Sequence, residues 1–294
     1  MLSHPVLRYI PLHKTGIDMW YFLATSLAVL TINKPLAYIL LGFTVILGWF
    51  NQTLATTAII LMIFIAATWF ALRNAVERYS GLRYIMEAFY VLIALMLVMH
   101  LLPGFHNLKV LDTVPVGPQS APFTMYYNFD KAIVPFVLMA CTGKLFVTES
   151  PCKTGILGWG ILILSVPALL MLAVVLGGLR YEPHLPEWLP QFALANIFFV
   201  SLAEEALFRG YLQQRLSQVV HPLAALIITA FAFGIMHYAG GLLLVIFAAL
   251  SGIIYGLAWM WSGKLWVAVL FHFMLNCVHL LFFTYPFYSP TAGA

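Results

Sequence analysis

The stretch from Ser201 to Arg209 sets two adjacent carboxylates, Glu204 and Glu205, and one guanidinium, Arg209, among apolar side chains. The whole chain carries only ten acidic residues, so a neighbouring pair inside an apolar run is not background. Ionisable groups at membrane depth are costly and tend to mark function. Two further stretches follow, Phe233 to His237 (FGIMH) and His272 to Asn276 (HFMLN). On a helix, Glu205 and Arg209 are i,i+4 neighbours that can pair. Glu204 points about 100° away and is left to face a cavity as a base. The plainer alternative is a structural ion-pair cluster between helices. His237 alone reads as an interfacial histidine at a helix end. His272 and Asn276 share one helix face and can orient a carbonyl or ligate a metal. Their plainer alternative is a polar stripe joining helices. His279 is offset from them and reads as structural.

Together these positions offer a carboxylate, two imidazoles and an amide on three separate helices. A carboxylate and a histidine can activate water, while a second histidine and an amide stabilise an oxyanion. The set also suits a mononuclear metal, with Glu204, His237 and His272 as ligands. The zincin pattern H-E-x-x-H and the serine elbow G-x-S-x-G are both missing from the sequence.

The elements that must position these residues are membrane helices. The chain has 294 residues, 63% of them hydrophobic and 8% charged, against about 25% charged in soluble domains. That composition predicts an all-α, polytopic transmembrane bundle of about 8–10 spanning helices. The apolar runs fall near 17–32, 36–50, 54–72, 84–102, 131–148, 155–178, 191–214, 222–238, 240–261 and 264–285. The first two are short and form a helical hairpin around Lys34-Pro35 that does not fully cross. Residues 103–130, rich in proline and glycine, read as a long loop outside the hydrocarbon. A second Pro-rich break spans 181–190.

The division is then an N-terminal helical extension, 1–190, a C-terminal core of about four helices, 191–285, and a tail, 286–294. Net charge is +4, with basic residues between apolar runs, which suits lipid headgroups rather than nucleic acid. Ten spans with an outside N-terminus gather Lys34, Arg73, Arg78, Arg83, Lys153, Arg215 and Lys264 inside, while Arg8 and Lys14 run against it. Cys141, Cys152 and Cys277 form neither a disulfide framework nor a cysteine metal motif. The first residues lack a cleavable-signal pattern.

The ordered set EExxxR, FxxxH and HxxxN on successive apolar helices resembles the CPBP (CAAX protease and bacteriocin-processing, or Abi) family of intramembrane endopeptidases. The Ras-converting CAAX endopeptidase belongs to that family. The resemblance covers roughly residues 190–285. It implies that Glu204 and His237 activate the attacking water, that His272 and Asn276 form the oxyanion hole, and that Glu205, Arg209 and Phe233 support the site. It implies no cofactor, with zinc on Glu204, His237 and His272 as the alternative. The implied partner is a membrane-associated or lipidated protein or peptide substrate. Short loops and no appended soluble domain resemble a bacterial, inner-membrane member. A noncatalytic immunity or scaffold protein and a proton-coupled carrier are the competing functional classes.

Overall fold

A computed structural model describes residues 17–149 and 152–289. The sixteen leading residues (the signal-peptide reading, Arg8 and Lys14 among them), Ser150, Pro151 and the end of the tail lie outside the described residues. The fold is a polytopic helical bundle. In chain order it begins with α1 (Ile17–Val29), α2 (Lys34–Phe50), α3 (Thr56–Arg78) and α4 (Ser80–Val98). A two-stranded hairpin, β1 (Leu108–Val114) and β2 (Phe123–Tyr127), and two short helices, α5 (Phe129–Ala132) and α6 (Val134–Leu138), come next. Then come α7 (Ile156–Val175), α8 (Leu189–Leu216), α9 (Pro222–Ile235), α10 (Leu242–Ser262) and α11 (Leu265–Phe282). Among the described residues six helices, α3, α4, α7, α8, α10 and α11, are long and apolar enough to cross a membrane; α2 and α9 are shorter apolar helices. Ile156, Leu157 and Leu164 on α7 are 92%, 75% and 67% exposed, a placement stable only against lipid.

The opening hairpin forms as its sequence requires. The Asn33 side chain accepts the Leu36 amide at 3.1 Å, and Pro35 occupies the first turn of α2, where its missing N–H costs nothing. One face of its first helix is buried in the bundle. Trp20 is fully buried, and its ring meets Tyr127, Phe129 and Phe199, which ties α1 to the strand hairpin and to α8.

Two readings of the sequence are corrected. Residues 131–148 do not form a spanning helix. The segment breaks into α5 and α6, with Pro135 in the first turn of α6, and continues through turns. Val134 to Leu138 are all buried, so the run is apolar because protein encloses it. The ten-span count loses its fifth member, and with it the loop sides assigned beyond that point. Residues 103–130 are also more ordered than a loop. They hold β1 and β2 in an irregular antiparallel ladder, Leu108 opposite Tyr127 and Val114 opposite Phe123. The hairpin end is pinned from the 181–190 break: Glu182 accepts the Ser120 hydroxyl at 2.7 Å and the Gln119 amide at 2.8 Å.

The last four apolar runs become α8 to α11 within a few residues of their expected bounds. Glycines bring α8 and α10 close together. The Gly252 carbonyl accepts Arg209 Nη2 at 2.8 Å, and one turn on the Gly256 carbonyl accepts Gln213 Nε2 at 3.2 Å. This is a G-x-x-x-G approach, in which missing side chains let polar groups of one helix reach the backbone of the next. A Cβ on Gly252 would stand 3.1 Å from Ala230 Cα and 3.2 Å from Arg209 Nη2, whereas one on Gly42 would meet nothing within 4 Å. Gly252→Ala should therefore destabilise the protein by about 1–3 kcal/mol. Gly42→Ala should be neutral. Thermal unfolding in detergent separates the two; equal melting temperatures would contradict the packing argument.

Candidate active site

The carboxylate pair lies on α8, in a short α-helical piece, Leu202–Glu205, between two π-helical stretches, Ala195–Ser201 and Ala206–Gln213. Such wider turns are rare and concentrate at functional sites. Glu205 and Arg209 are fully buried and pair as their spacing predicts, Nη1 to Oε1 at 3.0 Å. The same Glu205 oxygen accepts a second donor, His272 Nδ1, at 2.8 Å. Arg209 also lies 4.7 Å from the Phe233 ring centroid and 5.3 Å from that of Tyr255, both within cation–π range. Phe233 meets the rings of His237 at 4.8 Å and, edge-on, His272 at 5.9 Å. It thereby packs the second and third motifs onto the first.

Each histidine has one nitrogen fixed. His237 follows α9, and its Nδ1 lies 2.9 Å from the Phe233 carbonyl. A carbonyl only accepts, so Nδ1 carries the proton and Nε2 is the free nitrogen. His272 Nδ1 faces a carboxylate, so it too donates there and leaves Nε2 available. Tyr255 stacks on the His272 ring at 4.6 Å and 11°, which fixes the plane of the imidazole. Asn276, half-buried, donates Nδ2 to Asn196 Oδ1 at 3.3 Å; that oxygen also accepts the Ser201 hydroxyl at 3.1 Å.

His237, His272 and Asn276 line one cavity of about 820 Å³, with Asn196, Phe233 and Tyr255 on its wall. Leu169 and Leu170 of α7 and Leu243 and Phe247 of α10 make an apolar flank. Glu204 is 8% exposed, and its Oε1 accepts Lys131 Nζ at 3.3 Å. His272 and His237 remain close enough to act on its charge. Among the described residues no three His, Cys, Asp or Glu side chains are grouped so as to hold a metal ion. His279 bonds the Thr284 carbonyl at 3.1 Å.

Sequence reasoning missed Lys131, Asn196 and Tyr255. Asn196 carried a usable signal, being an amide within the apolar segment Ala195–Ser201. Tyr255 sits between the two glycines of the G-x-x-x-G pattern.

The two carboxylates should respond differently to substitution. Glu205→Ala strands a guanidinium with no exposed surface and should cost about 3–5 kcal/mol. Glu204→Gln keeps a hydrogen-bonding group beside a lysine that is 16% exposed at its side chain, and should leave the fold intact. Thermal unfolding in detergent is the measurement, and equal losses in both variants would refute the distinction.

A family model described as Type II CAAX prenyl endopeptidase Rce1-like matches residues 186–278. No curated protein and no solved structure matches the chain. The matched stretch contains all three motifs, from Glu204 to Asn276. Over residues 186–278 this membrane protein is therefore similar to the Type II CAAX prenyl endopeptidase Rce1-like family.

Proposed function

We propose that the protein is an intramembrane endopeptidase that hydrolyses a peptide bond of a membrane-associated or lipidated protein or peptide. One observation carries this reading: His237, after α9, converges with His272 and Asn276 of α11 on one cavity, each of the two histidines with Nδ1 occupied and Nε2 free. The chemistry resides in the 191–285 core, with the 1–190 extension framing it. The apolar flank of the cavity suits the lipid-facing part of a substrate. The short connections from α8 to α11 support a bacterial-type member in the plasma membrane.

In the proposed reaction, His237 Nε2 orients a water molecule and Glu204 takes its proton as the oxygen attacks the scissile carbonyl. The tetrahedral oxyanion is met by Asn276 Nδ2–H and by His272 Nε2–H, the latter present when the ring carries both protons, with Glu205 as counter-ion. Collapse breaks the C–N bond. The proton held by Glu204 passes to the leaving amine, giving one carboxylate product and one amine product. Arg209 and Phe233 hold Glu205 and the two imidazoles in register.

Purified protein in detergent, presented with a quenched peptide library with and without a chelator, provides the test. The wild type should cleave in both conditions, while Glu204→Gln and His237→Ala should abolish cleavage. Asn276→Ala, which removes one oxyanion donor, should lower kcat by about 10²–10³. Undiminished cleavage by Glu204→Gln would defeat the assignment. Loss with chelator and rescue by zinc would defeat the metal-free chemistry.

A further inference from the structure

Glu205 takes the buried cation of its own helix. Arg209 Nη1 goes to Glu205, and Nη2 goes to the Gly252 carbonyl. Glu204, one residue earlier and nearly as enclosed, must find its counter-charge elsewhere, because a desolvated carboxylate without a partner is expensive. The groups that act on its charge are His272 from α11, His237 after α9, Arg209 on its own helix, Tyr255 from α10, and Lys131 from α5. Of these, Lys131 makes the direct ion pair, Nζ to Oε1 at 3.3 Å, between side chains only 16% and 11% exposed. Lys131 lies outside the segment that carries the three motifs and immediately after the strand hairpin.

Its backbone is tightly held. The Lys131 amide donates to Asp130 Oδ1 at 2.9 Å. Asp130, 2% exposed, is gripped by His100 Nδ1 at 2.6 Å and by Asn107 Nδ2 at 3.0 Å. Asn107 also accepts the Phe129 amide at 2.9 Å, which starts α5. Residues on both sides of the hairpin thus fix the one turn that carries the lysine.

We propose that Lys131 is a positioning residue for Glu204, its counter-ion and tether, and that the His100–Asn107–Asp130 cluster is the mount that delivers it. The inference rests on the endopeptidase reading, in which Glu204 is the base. It assigns the N-terminal part of the chain a direct share in the active site. A purely structural ion pair is the competing account.

The test combines kinetics with amine labelling on the intact protein in detergent. Lys131→Met should lower kcat about tenfold or more at nearly unchanged KM. Lys131→Arg, which keeps the cation, should recover most of the loss. Asn107→Ala, at a residue that is not among those lining the cavity, should lower kcat in the same sense, and the double variant should be no worse than Lys131→Met alone. In the wild type, an acylating reagent should modify Lys131 more slowly than the exposed Lys34, and Glu204→Gln or Asn107→Ala should speed labelling at Lys131. Should Lys131→Met fail to fold, Asn107→Ala with labelling still decides the matter.

Full activity in folded Lys131→Met, a gain in activity, or no recovery by arginine would overturn the inference while leaving the protease reading intact. Additive effects of the two substitutions, or Lys131 labelling as fast as Lys34, would do the same. A wild type that cleaves nothing overturns both, and the labelling then reports a structural pair alone.

Discussion

The structure depends on giving a guanidinium with no exposed surface a fixed place inside a membrane bundle. Arg209 needs acceptors that cannot drift, and it finds a carboxylate one turn earlier on its own helix and a backbone carbonyl on the facing one. The carbonyl is reachable only because residue 252 has no side chain. The carboxylate then has an oxygen to share with His272, and Phe233 lies over the cation while touching both imidazoles. Packing of α8, α9, α10 and α11 around one charge is therefore also the placement of the groups proposed to react. Low dielectric strengthens each of these contacts, and it makes each one costly to lose.

How much of this the sequence disclosed follows from the range of each signal. The Glu205–Arg209 pair was legible because i,i+4 spacing is local, and the last four helices were legible because their hydrophobic runs are long and bounded. The segment 131–148 was misread because an apolar run enclosed by protein has the same composition as one facing lipid. The strand hairpin was hidden by prolines and by a register too irregular for clean alternation. Lys131 gave no signal at all. A lysine at the edge of an apolar run looks like a loop charge at a headgroup, and its partner is 73 positions away. The glycine pair on α10 was visible in principle, since G-x-x-x-G in an apolar helix marks close approach.

The cavity has two unlike sides. One wall carries the imidazoles, the amides and Tyr255; the flank from α7 and α10 carries leucines and Phe247. A soluble hydrolase commonly separates a dry core from a wet cleft. In this bundle the apolar side of the cleft lies among helices whose outer faces meet lipid, so a hydrophobic segment need not leave an apolar environment to approach the polar groups. Burial of the ion pair behind Phe233 and Tyr255 keeps the charge away from that path.

The ion pair between α5 and α8 also has a meaning in time. A chain made from its N-terminus inserts the hairpin and α5 well before α8, and His272 and Asn276 emerge last of all. The proposed base, its counter-ion and the oxyanion donors therefore meet only when synthesis is nearly finished. A ribosome-bound intermediate would hold the apolar frame without the chemistry, and newly inserted neighbours in the membrane would be safe from a half-built enzyme.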